Sequence, residues 1–324
     1  MIAFVFPGQG AQYAGMGQEM AQTYPEAREV FARADAVLGY ALSELCWNGP
    51  DDVLRQTERT QPAILVTSFA CLMVLRSRGL HPAMTAGLSL GEYTALLCAD
   101  ALAFEDALEV VRLRGQFMQE AAEGRRTAMA AILGLDAQTV TRVCQKAAAR
   151  GVVEPSNFNS PGQTVIAGEE AAVQAAIELA KTAGARRAVL LPVSAPFHTS
   201  LMRPAADRLA EVLARVPLQR ARIPVISNVT AQPVQDAEEV RRLLIRQVAS
   251  PVRWEESVRI MAFAGATMFV EVGPGTSLSG LIRKTVPQAT VAHAEDRASL
   301  EETLRALEAV LEPRSEILDH RSTN

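Results

Sequence analysis

Histidine and cysteine are scarce, four of each in 324 residues. Cys46, Cys71, Cys98 and Cys144 are scattered through apolar, helix-like stretches, with neither C-x-x-C spacing nor neighbouring histidines. That argues against both a disulfide framework and a zinc site, so no metal is expected and each cysteine reads as a small buried hydrophobe. Basic charge is not in excess either. The net charge of -4 offers nothing to a polyphosphate backbone, which excludes nucleic acid as a partner. No apolar run approaches the ~20 residues that a bilayer span needs. The N-terminal MIAFVFPGQG has no basic region and no cleavage site, so the expectation is a cytoplasmic protein without a membrane partner. Internal repeats and low-complexity linkers are also lacking.

What is there is ordinary globular material, 49% hydrophobic and 21% charged, long enough for a large α/β domain that could carry a smaller one. Ile2 to Phe6 reads as a buried strand, broken by Pro7-Gly8-Gln9-Gly10 ahead of a helical pattern from Met16 to Leu38. An apolar helix at 62–78, a short strand from Pro82 to Gly87 and a helix from Leu90 to Ala99 follow. Between Thr127 and Pro192 the pattern is strand (Ala128 to Leu133), helix (Asp136 to Arg150), strand (Val152 to Asn157), strand (Gln163 to Gly168), helix (Glu170 to Ala183), strand (Arg187 to Leu191). That βαββαβ order is the ferredoxin-like arrangement and predicts an inserted small domain. The main pattern then resumes with a helix from Leu201 to Val216, a strand at Pro224 to Ser227, helices between Glu238 and Ala264, and a strand from Met268 to Val272. A last strand ends near His293, before a helix from Ser299 to Leu311. The expected organisation is a discontinuous large domain, 1–126 and 193–312, a small domain, 127–192, and a disordered tail, 313–324.

Gly87-Leu88-Ser89-Leu90-Gly91 matches G-x-S-x-G between a strand and a helix. Flanking glycines let the chain turn sharply, expose the serine hydroxyl and aim helical N–H groups at an oxyanion. The bland alternative is that Ser89 merely caps the helix, with Glu92 completing a capping box. A serine needs a base. His320 falls in the tail and His81 in the loop before Pro82, whereas His198, in Ser194-Ala195-Pro196-Phe197-His198, sits in a loop at the predicted domain junction, where clefts form. Position alone does not decide between a catalytic and a solvated His198. Arg114 is more telling. On the helix from Phe104 to Glu120 it falls among Ala107, Val110, Val111, Phe117 and Met118, opposite a solvent face of Glu105, Glu109, Arg112, Gln116 and Gln119. A guanidinium in an apolar stripe needs an anion, either an internal carboxylate or a carboxylate on a substrate.

These motifs resemble those of malonyl-CoA:acyl-carrier-protein transacylases, in the fatty-acid and polyketide acyltransferase family, from residue 2 to about 311. The resemblance rests on Phe6-Pro7-Gly8-Gln9-Gly10-Ala11-Gln12, Gly87 to Glu92, Arg114-Gly115-Gln116-Phe117-Met118-Gln119, Asn159-Ser160-Pro161-Gly162-Gln163, Pro196-Phe197-His198, Ser250-Pro251-Val252-Arg253-Trp254 and Glu271-Val272-Gly273-Pro274-Gly275, in that order. It implies an α/β-hydrolase-like large domain with the ferredoxin-like unit inserted. It also implies Ser89 as nucleophile, His198 as base, Arg114 on the malonyl carboxylate, Gln9 and the Leu90 N–H around the oxyanion, and Asn159 and Phe197 in the substrate site. The main-chain carbonyl of Gln247 would steer the histidine. Malonyl-CoA would be the donor and an acyl carrier protein the acceptor, with coenzyme A entering as substrate and no bound cofactor. Leu88 departs from the histidine found there in many members, which questions any polar role at that position. Phe197 and Leu90 beside the chemistry predict malonyl over methylmalonyl.

Two rivals remain open at this point. One is an α/β-hydrolase with the chain order Ser, acid, late His, for which Asp236 and His293 are available. The other is a scaffold that docks carrier proteins without chemistry.

Overall fold

The computed structural model describes residues 1–193 and 195–311; the expected tail at 313–324, with His320, lies outside the described residues, as does Ser194. Its strands are β1 (Ile2–Phe6), β2 (Met84–Gly87), β3 (Thr127–Leu133), β4 (Val153–Ser160), β5 (Gln163–Glu169), β6 (Arg187–Leu190), β7 (Val225–Ile226), β8 (Pro233–Val234), β9 (Met268–Val272) and β10 (Thr290–Ala294). They form a mixed α/β architecture with two sheets. The larger has the order β10-β9-β1-β2-β7-β8 and is parallel except for β8, which runs antiparallel to β7.

β1 reads as an unbroken apolar run because it lies near the middle of this sheet and is covered on both faces. Successive side chains alternate sides. Phe4 and Phe6 enter the core on one face, under the helix Thr57–Ser77, while Ala3 and Val5 enter the core on the other, against the helices Trp254–Phe263 and Ser277–Thr285. The helix Thr57–Ser77 begins earlier than the sequence pattern predicts and carries Pro62 inside it. Contrary to the sequence expectation, its length and composition suffice to cross a bilayer, yet 83% of its apolar window is buried inside the protein. The predicted helix from Met16 to Leu38 is divided into Gln18–Thr23 and Pro25–Leu38. The break is steric: Pro25 disfavours helical backbone at the preceding Tyr24, which is extended at φ -116°, ψ 122°.

The second sheet, β4-β5-β3-β6, is antiparallel. On one face Ile132, Ile166 and Val153 meet Val140, Val143, Val173 and Ile177 of the helices Ala137–Ala147 and Glu170–Thr182. On the other, Met129, Val165 and Ala167 join the main core. β4 is tied to the segment just before the helix Trp254–Phe263, where the Phe158 N–H donates to the Val252 carbonyl and the Val252 N–H to the Ser156 carbonyl, both at 2.8 Å. This accounts for the Ser-Pro-Val-Arg-Trp motif as structure: Val252 bridges to β4 and Trp254 is fully buried behind it. Glu271, buried at the end of β9, accepts the Leu278 and Ser279 N–H groups at 3.0 and 2.7 Å and so caps the helix Ser277–Thr285.

Candidate active site

Strand β2 ends at Gly87 and a helix begins at Gly91, so the chain reverses within the intervening residues. The turn needs its glycines. A Cβ on Gly87 would lie 1.9 Å from the carbonyl carbon of Gly91, and one on Gly91 would lie 2.1 Å from the Phe6 oxygen. Those are backbone atoms, which cannot yield as a side chain can. The reversal leaves Ser89 in the left-handed region, at φ 54°, a strained backbone of the kind held at functional sites. Asn228 locks it: its Oδ1 accepts the Ser89 N–H and its Nδ2 donates to the Gly87 carbonyl, both at 2.6 Å. The capping-box alternative is not what the structure contains. Leu90 is the N-cap and receives no side-chain cap, and Glu92 accepts instead from Gln247 Nε2 at 2.8 Å and from the Asn228 N–H at 3.2 Å.

His198, also left-handed at φ 62°, brings Nε2 to 2.7 Å from Ser89 Oγ and Nδ1 to 2.8 Å from the Gln247 carbonyl. A carbonyl only accepts, so Nδ1 carries the proton and donates. Nε2 is then left with its lone pair toward the serine O–H. The loop is anchored where Ser156 Oγ donates to the Phe197 carbonyl at 2.9 Å. Burial and the nearby Arg114 charge push the imidazole down to about 4, against the hydrogen bond to Gln247, so the ring is neutral at pH 7.

Arg114 is 1% exposed. Nη1 donates to Gln61 Oε1 at 2.7 Å, and Nη2 to Gln247 Oε1 at 2.9 Å and Ser89 Oγ at 3.1 Å, while Nε has no partner. Among the described residues it has no ion-pair partner, so an internal salt bridge does not explain its burial. Its guanidinium also faces the Tyr93 ring, 5.6 Å from the centroid.

Ser89, His198 and Arg114 open onto one cleft of about 510 Å³, also lined by Gln9, Leu88, Leu90, Asn159 and Phe197. Gln9 Nε2 reaches Thr57 Oγ1 at 3.4 Å, and the Leu90 N–H has no acceptor among the described residues. Asn159 Oδ1 is buried and unpartnered. Leu88 contributes apolar surface packed on the core. Every residue the resemblance assigned to the site is thus here, Gln247 through its carbonyl. The late-histidine scheme is not assembled. His293 stands 3.8 Å from Glu295, and Asp236 is used as the N-cap of the helix Ala237–Val248, accepting from the Glu239 N–H at 2.9 Å. The cysteines are buried and unpaired, with thiols pushed up to about 12 by burial.

Sequence reasoning missed Gln61, Asn228 and the amide of Gln247. Gln61 precedes the apolar helix that the sequence pattern places at 62–78, and it lies inside a helix only because Thr57–Ser77 begins earlier. Asn228 gave no signal that is readable locally.

The acyl transferase domain family matches residues 3–311. The chain is 46% identical over 300 residues to the malonyl CoA-acyl carrier protein transacylase of Escherichia coli K12, covering 92% of this chain and 97% of that protein. Its fold superposes with TM-score 0.91 on the crystal structure of an acyl carrier protein S-malonyltransferase from Vibrio cholerae, at 46% identity over 93% of this chain and 99% of that one. It superposes with TM-score 0.92 on a malonyl-transacylase in complex with its type II polyketide-synthase acyl carrier protein, at 44% identity over 94% and 99% of the two chains.

Proposed function

The chain belongs to the acyl transferase domain family, and from that membership we propose that it is an acyl-carrier-protein S-malonyltransferase working through a malonyl ester on Ser89. It moves the malonyl group from malonyl-CoA to the phosphopantetheine thiol of an acyl carrier protein, for fatty-acid or polyketide synthesis. Ser89 Oγ attacks the thioester carbonyl as His198 Nε2 takes its proton. The oxyanion is met by the Leu90 N–H and Gln9, and collapse expels the coenzyme A thiolate, which receives the proton from His198. In the second half the carrier thiol loses its proton to His198 and attacks the ester, and the proton returns to Ser89.

The observation that carries this reading is Arg114, a buried guanidinium against the nucleophile with no carboxylate in direct contact with it among the described residues. A carboxylate on the acyl group fits that position, taking the Nη donors that Ser89 and the two glutamines hold in the free protein. A scaffold or a simple hydrolase has no use for it there. The reading treats 127–192 as a small domain inserted between the catalytic segments 1–126 and 193–312, and keeps the protein in the cytoplasm, consistent with an apolar helix spent inside the core. Incubation with malonyl-CoA followed by intact-mass measurement tests it. A stable gain of one malonyl group is expected, absent in Ser89→Ala; an unmodified wild type would favour the scaffold.

A further inference from the structure

Arg114 poses a problem of charge. A guanidinium this buried is costly without an opposite charge, yet a carboxylate seated directly on its fork would fill the place the substrate needs. The structure holds one carboxylate a single amide away. Gln247 Oε1 accepts from Arg114 Nη2 at 2.9 Å, and Nε2 of the same amide donates to Glu92 Oε2 at 2.8 Å. Gln247 is fully buried and Glu92 is 3% exposed. The amide cannot be reversed: its NH2 would then face the guanidinium, and its oxygen would face the Glu92 carboxylate and the Ser89 carbonyl, which Nε2 now contacts at 2.8 Å.

Resting on the reading of Arg114 as the carboxylate clamp, we propose that Glu92 is the remote counter-charge of Arg114, relayed through Gln247, and that it takes up a proton from solvent when a substrate carboxylate occupies the fork. The charge of the buried cluster is then the same in both states. Glu92 balances Arg114 when the site is empty, and the substrate carboxylate balances it when the site is full. The titratable or charged groups facing Glu92 are Arg114, from the helix Phe104–Ala122, and Tyr93 on its own helix; Gln247, Asn228 and Ser227 face it as neutral hydrogen-bond partners. Burial holds its carboxyl up at about 7, opposed by the hydrogen bonds from Gln247 and Asn228 and by the Arg114 charge. A substrate anion on Arg114 cancels the last of these supports and favours protonation.

The test compares KM for malonyl-CoA and acetyl-CoA at pH 6 and pH 8, either side of the Glu92 value of about 7, in wild type, Glu92→Gln and Arg114→Ala. Gln keeps an oxygen for the Gln247 and Asn228 donors but removes the charge. At the effective dielectric of ~20 suited to such sites, a unit charge this near changes an affinity about tenfold. With Glu92 at about 7 in the empty site, wild-type KM for malonyl-CoA should therefore rise about fivefold from pH 6 to pH 8, towards the tenfold limit at higher pH. Glu92→Gln should stay at the low value throughout, and acetyl-CoA should show neither effect. A flat wild-type profile, or the same rise in Glu92→Gln, overturns the proposal; a residue with only a scaffolding role would give one of these. Should Glu92→Gln fail to fold, proton uptake by the wild type decides: near pH 7, acylation by malonyl-CoA must take up more protons from a weakly buffered dye solution than acylation by acetyl-CoA, and equal uptake refutes the idea. If Arg114→Ala keeps the malonyl preference, it is the clamp reading that fails. If it loses the preference while the wild-type profile is flat, only the role of Glu92 falls.

Discussion

Replacing Arg114 by alanine removes a cation that donates to the nucleophile and should separate malonyl from uncharged acyl groups. A buried, charge-assisted fork on a carboxylate is worth about 2–3 kcal/mol, so the preference for malonyl over acetyl should fall about a hundredfold. Absolute rates are the wrong readout. The same substitution strips the donors from Gln61 Oε1 and Gln247 Oε1, both buried, and each unpaired acceptor costs about 1–3 kcal/mol of stability. The ratio of kcat/KM for malonyl-CoA to that for acetyl-CoA cancels this damage, because both substrates meet the same weakened scaffold. Loss of the Arg114 charge also relieves His198, whose imidazole sits at about 4 partly because of it, so the acidic limb of the rate profile should move up for both substrates. Arg114→Lys, which keeps the charge without the planar fork, should fall between. Acyl-serine formation followed by intact mass supplies the rates. Equal losses for malonyl and acetyl would mean that Arg114 is structural.

His198→Ala should abolish self-acylation while His293→Ala leaves it intact; the reverse result in the same mass assay would restore the late-histidine scheme. Phe197 and Leu90, which line the cleft beside the chemistry, should exclude an α-methyl group: overpacking of about 1–3 kcal/mol gives roughly 10- to 200-fold preference for malonyl over methylmalonyl, narrowed in Phe197→Ser. Comparable kcat/KM for the two donors in wild type would refute that role for Phe197. Acid should destabilise the fold through His198. Its folded-state value of about 4 lies below the ordinary 6.5, so below pH 6.5 the unfolded chain binds a proton that the native one does not. The stability it contributes is present above 6.5 and lost as pH falls through 4, about 3 kcal/mol in all. Urea midpoints of wild type and a His198→Gln variant should therefore converge over that window, and parallel curves would contradict a buried neutral imidazole.

Much of this protein was legible because its signals are local. The glycines around Ser89 are demanded by a turn a few residues long, and the βαββαβ unit forms its sheet and much of its core from consecutive elements. Arg114 was conspicuous because helical periodicity alone puts it in an apolar stripe. Gln61 was not legible in that way, because the apolar pattern starts at residue 62 and only the fold extends the helix back to Thr57. What sequence could not decide is which distant residues meet. Ser89 and His198 are 109 residues apart, and Ser89 and Gln247 158. Their meeting depends on the strand order β10-β9-β1-β2-β7-β8, in which β2 lies between β1 and β7, and that order is set by long-range pairing with no counterpart in local pattern. Glu92 shows the limit most clearly. Read locally it is a capping-box residue, because Ser89 precedes it by three positions. In the fold, Asn228 and Gln247 arrive from other elements to claim its carboxylate, and a buried acceptor takes the donors that tertiary packing delivers to it.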